Sequence, residues 1–166
     1  MFELKPLSKG AVVKALEKAE RYRLLNEPVE AESICQDILR LEPDNQPALV
    51  TLLLALTDQF EEGFAESTAQ AQALVPRLGG EYERAYYSGL ICERRAKAQL
   101  RLGGPGSGYV AFATFREAME WYEKAEALRP AGNDDALLRW NTCARILDRH
   151  PHLRPAPEER SEPLLE

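Results

Sequence analysis

Long apolar runs are absent from this chain. The longest aliphatic stretch, Leu52-Leu53-Leu54-Ala55-Leu56, is five residues, against the ~20 that a membrane-spanning helix needs. Cysteine is scarce: three residues, an odd number with no C-x-x-C pair. Cys35, Cys92 and Cys143 therefore read as small buried hydrophobes in a reducing compartment. Basic runs are missing too. None exceeds two residues (Arg94-Arg95), and the net charge is −6. Phosphate binding needs a concentrated basic face, so neither DNA nor RNA is an expected partner. Arg94, Arg95, Lys97 and Arg101 do cluster along one expected helix, and read as a solvated face. The opening MFELKPLSKG has no apolar centre of the kind a signal peptide carries. The expected location is the cytoplasm, with no membrane partner.

Catalytic signals are equally thin. The two histidines, His150 and His152, flank Pro151, and neither has a nucleophile or orienting carboxylate that spacing can identify. Cys143 lies seven residues before His150, on the same helix face, yet no fourth metal ligand is evident. The glycine-rich stretch Gly103-Gly104-Pro105-Gly106-Ser107-Gly108 lacks the G-x-x-x-x-G-K-[ST] order of a phosphate loop and follows a helix rather than a strand. No enzyme activity, cofactor or metal is expected.

What the chain has is helix signal. Charged residues make up 29% and apolar ones 45%, enough for a continuous core in 166 residues. Val12, Val13, Leu16, Ala19 and Leu24 recur at helical spacing, with Ser8 as the expected cap of a helix ending near Asn26. Pro28 opens a second helix that Pro43 closes after Leu41. Asn45 caps a third, to about Gln59, and a fourth covers about residues 64–74. Gly79-Gly80 resets the chain before a longer fifth helix, about residues 81–102. The glycine-rich turn leads into a sixth, about 109–129, along which Ala111, Ala118 and Ala125 form a line of small residues. Asn133 caps a seventh helix ending near Arg149. Four prolines in the last residues forbid much helix there. The expected organisation is a lead-in (1–10), a helical domain (11–150) and a proline-rich extended or disordered tail (151–166). That tail closes on Leu164-Leu165-Glu166, which reads as a frayed terminus ahead of a docking motif or a segment that folds back into the groove.

Ala31 and Ala65 each sit in the second helix of a pair and are 34 residues apart. Counting from Val12, Ala19, Tyr22, Ala31, Cys35, Ile38 and Pro43 fall at positions 8, 11, 20, 24, 27 and 32. Counting from Gln46 gives Leu53, Leu56, Ala65 and Ala69, with Pro76 one residue early. Counting from Tyr82 gives Gly89 and Cys92, and Ala118, Tyr122, Ala125 and Pro130 complete that unit. The chain resembles the tetratricopeptide repeat family over roughly residues 11–150. It departs from the family's pattern at Ala15 and Lys18, where a Trp and a Leu are usual. The resemblance implies an all-α, right-handed α-solenoid of antiparallel helix pairs, seven helices in all, the last one a cap. Ala19 should face Ala31, and Gly89 should face Ala118. Those pairs lie 12 and 29 residues apart, so the third hairpin should be elongated, each helix overrunning by about two turns at ~3.6 residues per turn.

The resemblance also implies a function: a non-enzymatic scaffold or adaptor that holds a protein segment, peptide or helix, in a groove lined by the first helix of each pair. The residues it places there are Val13, Leu16, Glu20, Arg23 and Leu24; Pro47, Val50, Leu54, Thr57 and Asp58; and Glu83, Tyr86, Leu90, Glu93 and Arg94, with Tyr87 beside them. The family's clamp for a terminal carboxylate is missing, since Leu16, Glu20, Val50 and Leu54 hold its positions. What remains is a mixed groove with an apolar centre, Leu16, Val50, Leu54, Tyr86 and Leu90, suited to an amphipathic helix or a short apolar peptide. The alternative is a structural or oligomerisation subunit that self-associates through the long third hairpin, using Phe112, Phe115, Trp121 and Tyr122.

Overall fold

A computed structural model describes residues 1–157; Leu164 and Leu165 lie outside them. The described residues form seven α-helices and no strand: α1 (Val12–Leu24), α2 (Pro28–Leu41), α3 (Gln46–Thr57), α4 (Phe64–Leu74), α5 (Glu81–Leu102), α6 (Ser107–Leu128) and α7 (Asp135–Arg149). Single 3-10 turns at Lys9–Ala11 and Val75–Arg77 precede α1 and follow α4. Each helix packs on the next in chain order, and α1 and α5 also reach α3.

The chain's breaks work as local chemistry dictates. Asn26 takes a left-handed conformation, φ 61°, which asparagine tolerates better than most residues. The Glu27 N–H then donates to the Tyr22 carbonyl (2.9 Å) and the Asn26 N–H to that of Arg23 (3.1 Å), closing the orphan carbonyls of α1 in a Schellman motif. Pro28 starts α2 where its missing N–H costs nothing. The Asn45 side chain accepts from the Ala48 N–H at 2.9 Å, the capping bond expected of it. Two caps differ from expectation. Ser8 makes no side-chain capping bond and introduces the 3-10 turn, so α1 starts four residues later, at Val12. Asp134 is the boundary residue of α7, although the Asn133 side chain still accepts the Asp135 N–H at 3.1 Å.

α3 is apolar nearly all round, and eight of its residues are buried; a helix of that kind belongs in the interior. With Ala19, Ala31 and Cys35 it anchors a core patch that continues through Leu74 and Leu78 to Leu90 and Ile91. A second patch joins α5, α6 and α7 through Ala85, Cys92, Phe115, Ala118, Tyr122 and Cys143. Its two sides meet on α5, which serves both patches. A smaller one gathers Val12, Ile38 and Ala48, with Leu7 and Leu16 against it.

The 34-residue spacing does not carry through the second pair. Ala31 is fully buried, but Ala65 and Ala69 are exposed. The buried stripe of α4 is Ser67, Ala71 and Leu74, which repeats Ala31, Cys35 and Ile38 at a spacing of 36. The cause is the connection. Residues 58–63 form a longer turn than residues 25–27, and that turn buries Phe60 against the core.

α5 and α6 have 22 residues each against 11–14 in α1 to α4. They close on each other at Gly89. A methyl there would stand 2.7 Å from the Tyr122 ring and 3.2 Å from the Trp121 Cβ. Ala111, Ala118 and Ala125 are all fully buried on the facing helix. The tip turns through Gly103, Gly104 and Gly106, each at positive φ, backbone that side chains rarely adopt. Of the aromatics expected to be free on this hairpin, Phe115 and Tyr122 are fully buried in the core. After α7 the chain returns toward the start of α6. Leu153 is buried in the second patch, the Arg154 guanidinium lies 5.9 Å from the Tyr109 ring, and the His152 carbonyl sits against Gly108.

Candidate functional site

The residues expected to form a groove divide into three groups. Glu20, Arg23 and Leu24 of α1 meet Gln46, Pro47, Val50, Thr51 and Leu54 of α3 around a depression of about 480 Å³. Its floor is aliphatic, and its walls carry one acid and one base. Leu24 is largely exposed and Val50 and Leu54 are half-buried, so apolar surface is available there. Val13 is also exposed but does not line this depression.

A second depression, about 340 Å³, lies between α5 and α7 and is lined by Tyr86, Asp135, Leu138, Arg139 and Thr142. Tyr86 stacks on Tyr82 (centroids 5.8 Å apart) and meets Tyr87 edge-on at 5.0 Å. Tyr87 turns toward the core, and burial with the neighbouring tyrosines lifts its phenol to about 12.

The rest of the expected set lines neither of these depressions. Leu90 is only 1% exposed and belongs to the core, because α5 uses that face to pack on its neighbours. Leu16 packs with Val12, Ile38 and Ala48, away from Val50 and Leu54. Thr57 is buried, its hydroxyl donating to the Leu54 carbonyl at 2.8 Å. Glu83 is half-buried. The continuous apolar centre expected of Leu16, Val50, Leu54, Tyr86 and Leu90 is therefore replaced by two separate depressions.

Between them run ion pairs that link the odd-numbered helices. Asp58, at the end of α3, takes Arg23 of α1 (Nε to Oδ2, 2.7 Å) on one side and Arg94 of α5 (Nη1 to Oδ1, 3.1 Å) on the other. Glu93 is 0% exposed and takes Arg139 of α7 (2.7 Å) and Lys97 one turn along α5 (3.3 Å). Its other oxygen accepts from the Cys143 thiol at 3.5 Å. Arg101 pairs with Glu61 farther along. Arg94 and Lys97 are thus anchored to carboxylates rather than simply solvated, which spacing on α5 alone could not reveal. The partner acid of Arg94 lies 36 residues earlier, at the end of α3, and Glu93, four residues before Lys97, also takes Arg139 from 46 residues later.

The buried groups around Glu93 are inert as nucleophiles. Burial first, then the Glu93 charge, pushes the Cys143 thiol up to about 12. The same two causes raise the Tyr122 phenol, whose hydroxyl has no hydrogen-bond partner among the described residues. Burial likewise lifts Cys35 and Cys92 to about 12. All three cysteines are free. His150 and His152 lie edge to face, ring centroids 5.6 Å apart. Among the described residues no group of three or more His, Cys, Asp or Glu side chains is placed to hold a metal ion, and no helix is long and apolar enough to cross a membrane.

A further cleft, about 560 Å³, opens between the end of α4 and the α5–α6 hairpin, lined by Val75, Pro76, Arg84, Ala85, Trp121 and Leu128 among others. Sequence reasoning had assigned Trp121 to the hairpin without placing a cleft beside it. The Lys124 amine stands 5.2 Å from the Trp121 ring.

No protein-family model, curated protein or solved structure matches this chain.

Proposed function

We propose that this protein is a non-enzymatic scaffold of the tetratricopeptide type, a solenoid of helix pairs that works in the cytoplasm by holding a helical or extended segment of another protein. The observation that carries the reading is the α1–α3 depression. Six of the positions that the repeat pattern assigns to a concave groove, Glu20, Arg23, Leu24, Pro47, Val50 and Leu54, line one hollow of about 480 Å³. Further support comes from the contacts between alternate helices, α1 with α3 and α3 with α5, which a stack of helix pairs requires. Free, buried cysteines suit a reducing compartment.

Affinity in such a hollow comes from covering a few aliphatic anchors, each Å² of apolar area contributing about 25 cal/mol before ordering costs. Self-association through the long hairpin is the weaker reading, because Phe115 and Tyr122 are spent on the core. Only Leu102 and Val110 are large hydrophobics exposed near the tip, far less than a stable interface needs.

The test is a selection of peptides from a displayed library, followed by affinities on purified variants. Leu24→Glu and Val50→Arg each put a charge on the hollow's floor at positions that are not fully buried. Selected peptides should lose about tenfold or more in affinity, with unchanged far-ultraviolet circular dichroism. Peptides that bind both variants as well as the parent retire the groove.

A further inference from the structure

Helix α1 borders hollows on two sides. Glu20, Arg23 and Leu24 face the α1–α3 depression. Lys14, Ala15, Lys18 and Tyr22 face a separate recess of about 440 Å³ between α1 and α2. At ~100° of rotation per residue the two sets point in opposite directions. The floor of the recess is apolar: Leu7, Ala15 and Ile34 are half-buried against the Val12–Ile38–Ala48 patch, with Tyr22 beside them. Its lining comes from the lead-in, α1 and α2 alone. Helix pairs packed in series cover one another's apolar faces, and the pair at either end needs a separate cover. At the other end α7 covers α6. Nothing among the described residues covers the recess.

The lead-in starts at the edge of this recess. Residues 1–8 carry no helix. Leu7 is held in the recess lining, whereas Met1, Phe2 and Leu4 stand in solvent, Phe2 at 99% exposure. Phe2 is five residues before Leu7, a reach of up to about 17 Å for extended chain. An apolar arm and an apolar recess thus share one face of one chain. Two copies related by a two-fold axis satisfy both at once, each arm entering the other's recess, as an isologous interface requires. Each charge on the arm has its opposite on the rim: Glu3 for Lys14 and Lys18, and Lys5 for Asp37. Met1, Phe2 and Leu4 of both copies, with the matching area of two recesses, come to about 1,500 Å², inside the ~1,200–2,000 Å² of specific interfaces.

We propose that two copies of this chain pair through this face, Phe2 and Leu4 of each seated over Ala15, Tyr22 and Ile34 of the other. The pairing goes beyond the groove reading and does not depend on it. It leaves the α1–α3 depression of each copy open on the opposite side of α1, so the pair offers two depressions to a partner.

Sedimentation equilibrium of the full chain, from micromolar to submillimolar concentration, tests the pairing. The mass should rise to that of two chains. Phe2→Ser/Leu4→Ser alters only exposed side chains, so circular dichroism should be unchanged while the dissociation constant rises about tenfold or more. The three native thiols are buried, so an introduced surface cysteine reacts selectively. A Phe2→Cys chain mixed with a Lys18→Cys chain should, under mild oxidation, give a disulfide-linked pair with one chain of each kind, in preference to either self-linked product. A one-chain mass at every concentration, or a dimer that Phe2→Ser/Leu4→Ser leaves as tight as the parent, overturns the proposal. A monomeric Phe2→Cys/Lys18→Cys double variant that closes an intrachain disulfide places each arm in its own recess and overturns it as well.

Discussion

Glu93 is the residue that departs furthest from what a helix surface asks of glutamate. A carboxylate with no exposed area is costly unless it is paired and fully hydrogen-bonded, and here Arg139, Lys97 and the Cys143 thiol meet that need. The pairing joins α7 to α5 at one defined register. The thiols set a pH limit of their own. Cys35, Cys92 and Cys143 ionise near 9 when unfolded and near 12 in the fold. Above pH 9 the unfolded chain releases protons that the native chain keeps, so stability is intact below pH 9 and is lost as the pH climbs toward 12. The urea midpoint should therefore fall between pH 9 and pH 11. Cys92→Ala, which removes one of the three groups, should make that fall shallower. An unaltered slope in the variant would contradict the burial assigned to Cys92.

At the scale of the element, most of the fold was legible. Proline and glycine placed the breaks, and apolar spacing placed all seven helices within a few residues of where they lie. Legibility failed where the decisive information was not local. The 34-residue match of Ala31 and Ala65 misled, because the turn at residues 58–63 buries Phe60 and shifts the α4 stripe to Ser67, Ala71 and Leu74. Leu16 and Leu90 shared a sequence pattern with Val50 and Leu54, but packing sent them to the core and its margins. Apolar residues on groove and core faces look alike until neighbours are known. Gly89 was legible in its role as a small residue at a crossing, and it yields a prediction for the α5–α6 pair. Gly89→Ala gains about 1 kcal/mol of helix propensity, but its methyl collides with a fully enclosed Tyr122 ring, and overpacking costs about 1–3 kcal/mol. The net should be a melting temperature lower by up to about 8 °C. A rise would mean that the two helices can separate at no cost.

At the scale of the whole molecule, the question is which face binds. Among the described residues several hollows compete, including the α1–α3 depression, the α5–α7 depression and the Trp121 cleft beside α4. The odd-numbered helices carry the first two, and the ion pairs of Asp58 and Glu93 with half-buried bases join those helices. The Trp121 cleft has the larger volume, yet it is lined by none of the positions that the repeat pattern assigns to a groove. The measurement that separates these faces is backbone amide chemical-shift mapping by NMR, with a peptide selected from the displayed library titrated into the protein. The account predicts that the largest shifts cluster on residues 20–24 and 46–54, with a second set around Arg94 and Arg139. Shifts confined to residues 75–88 and 121–128 would place binding on the opposite cleft and contradict it.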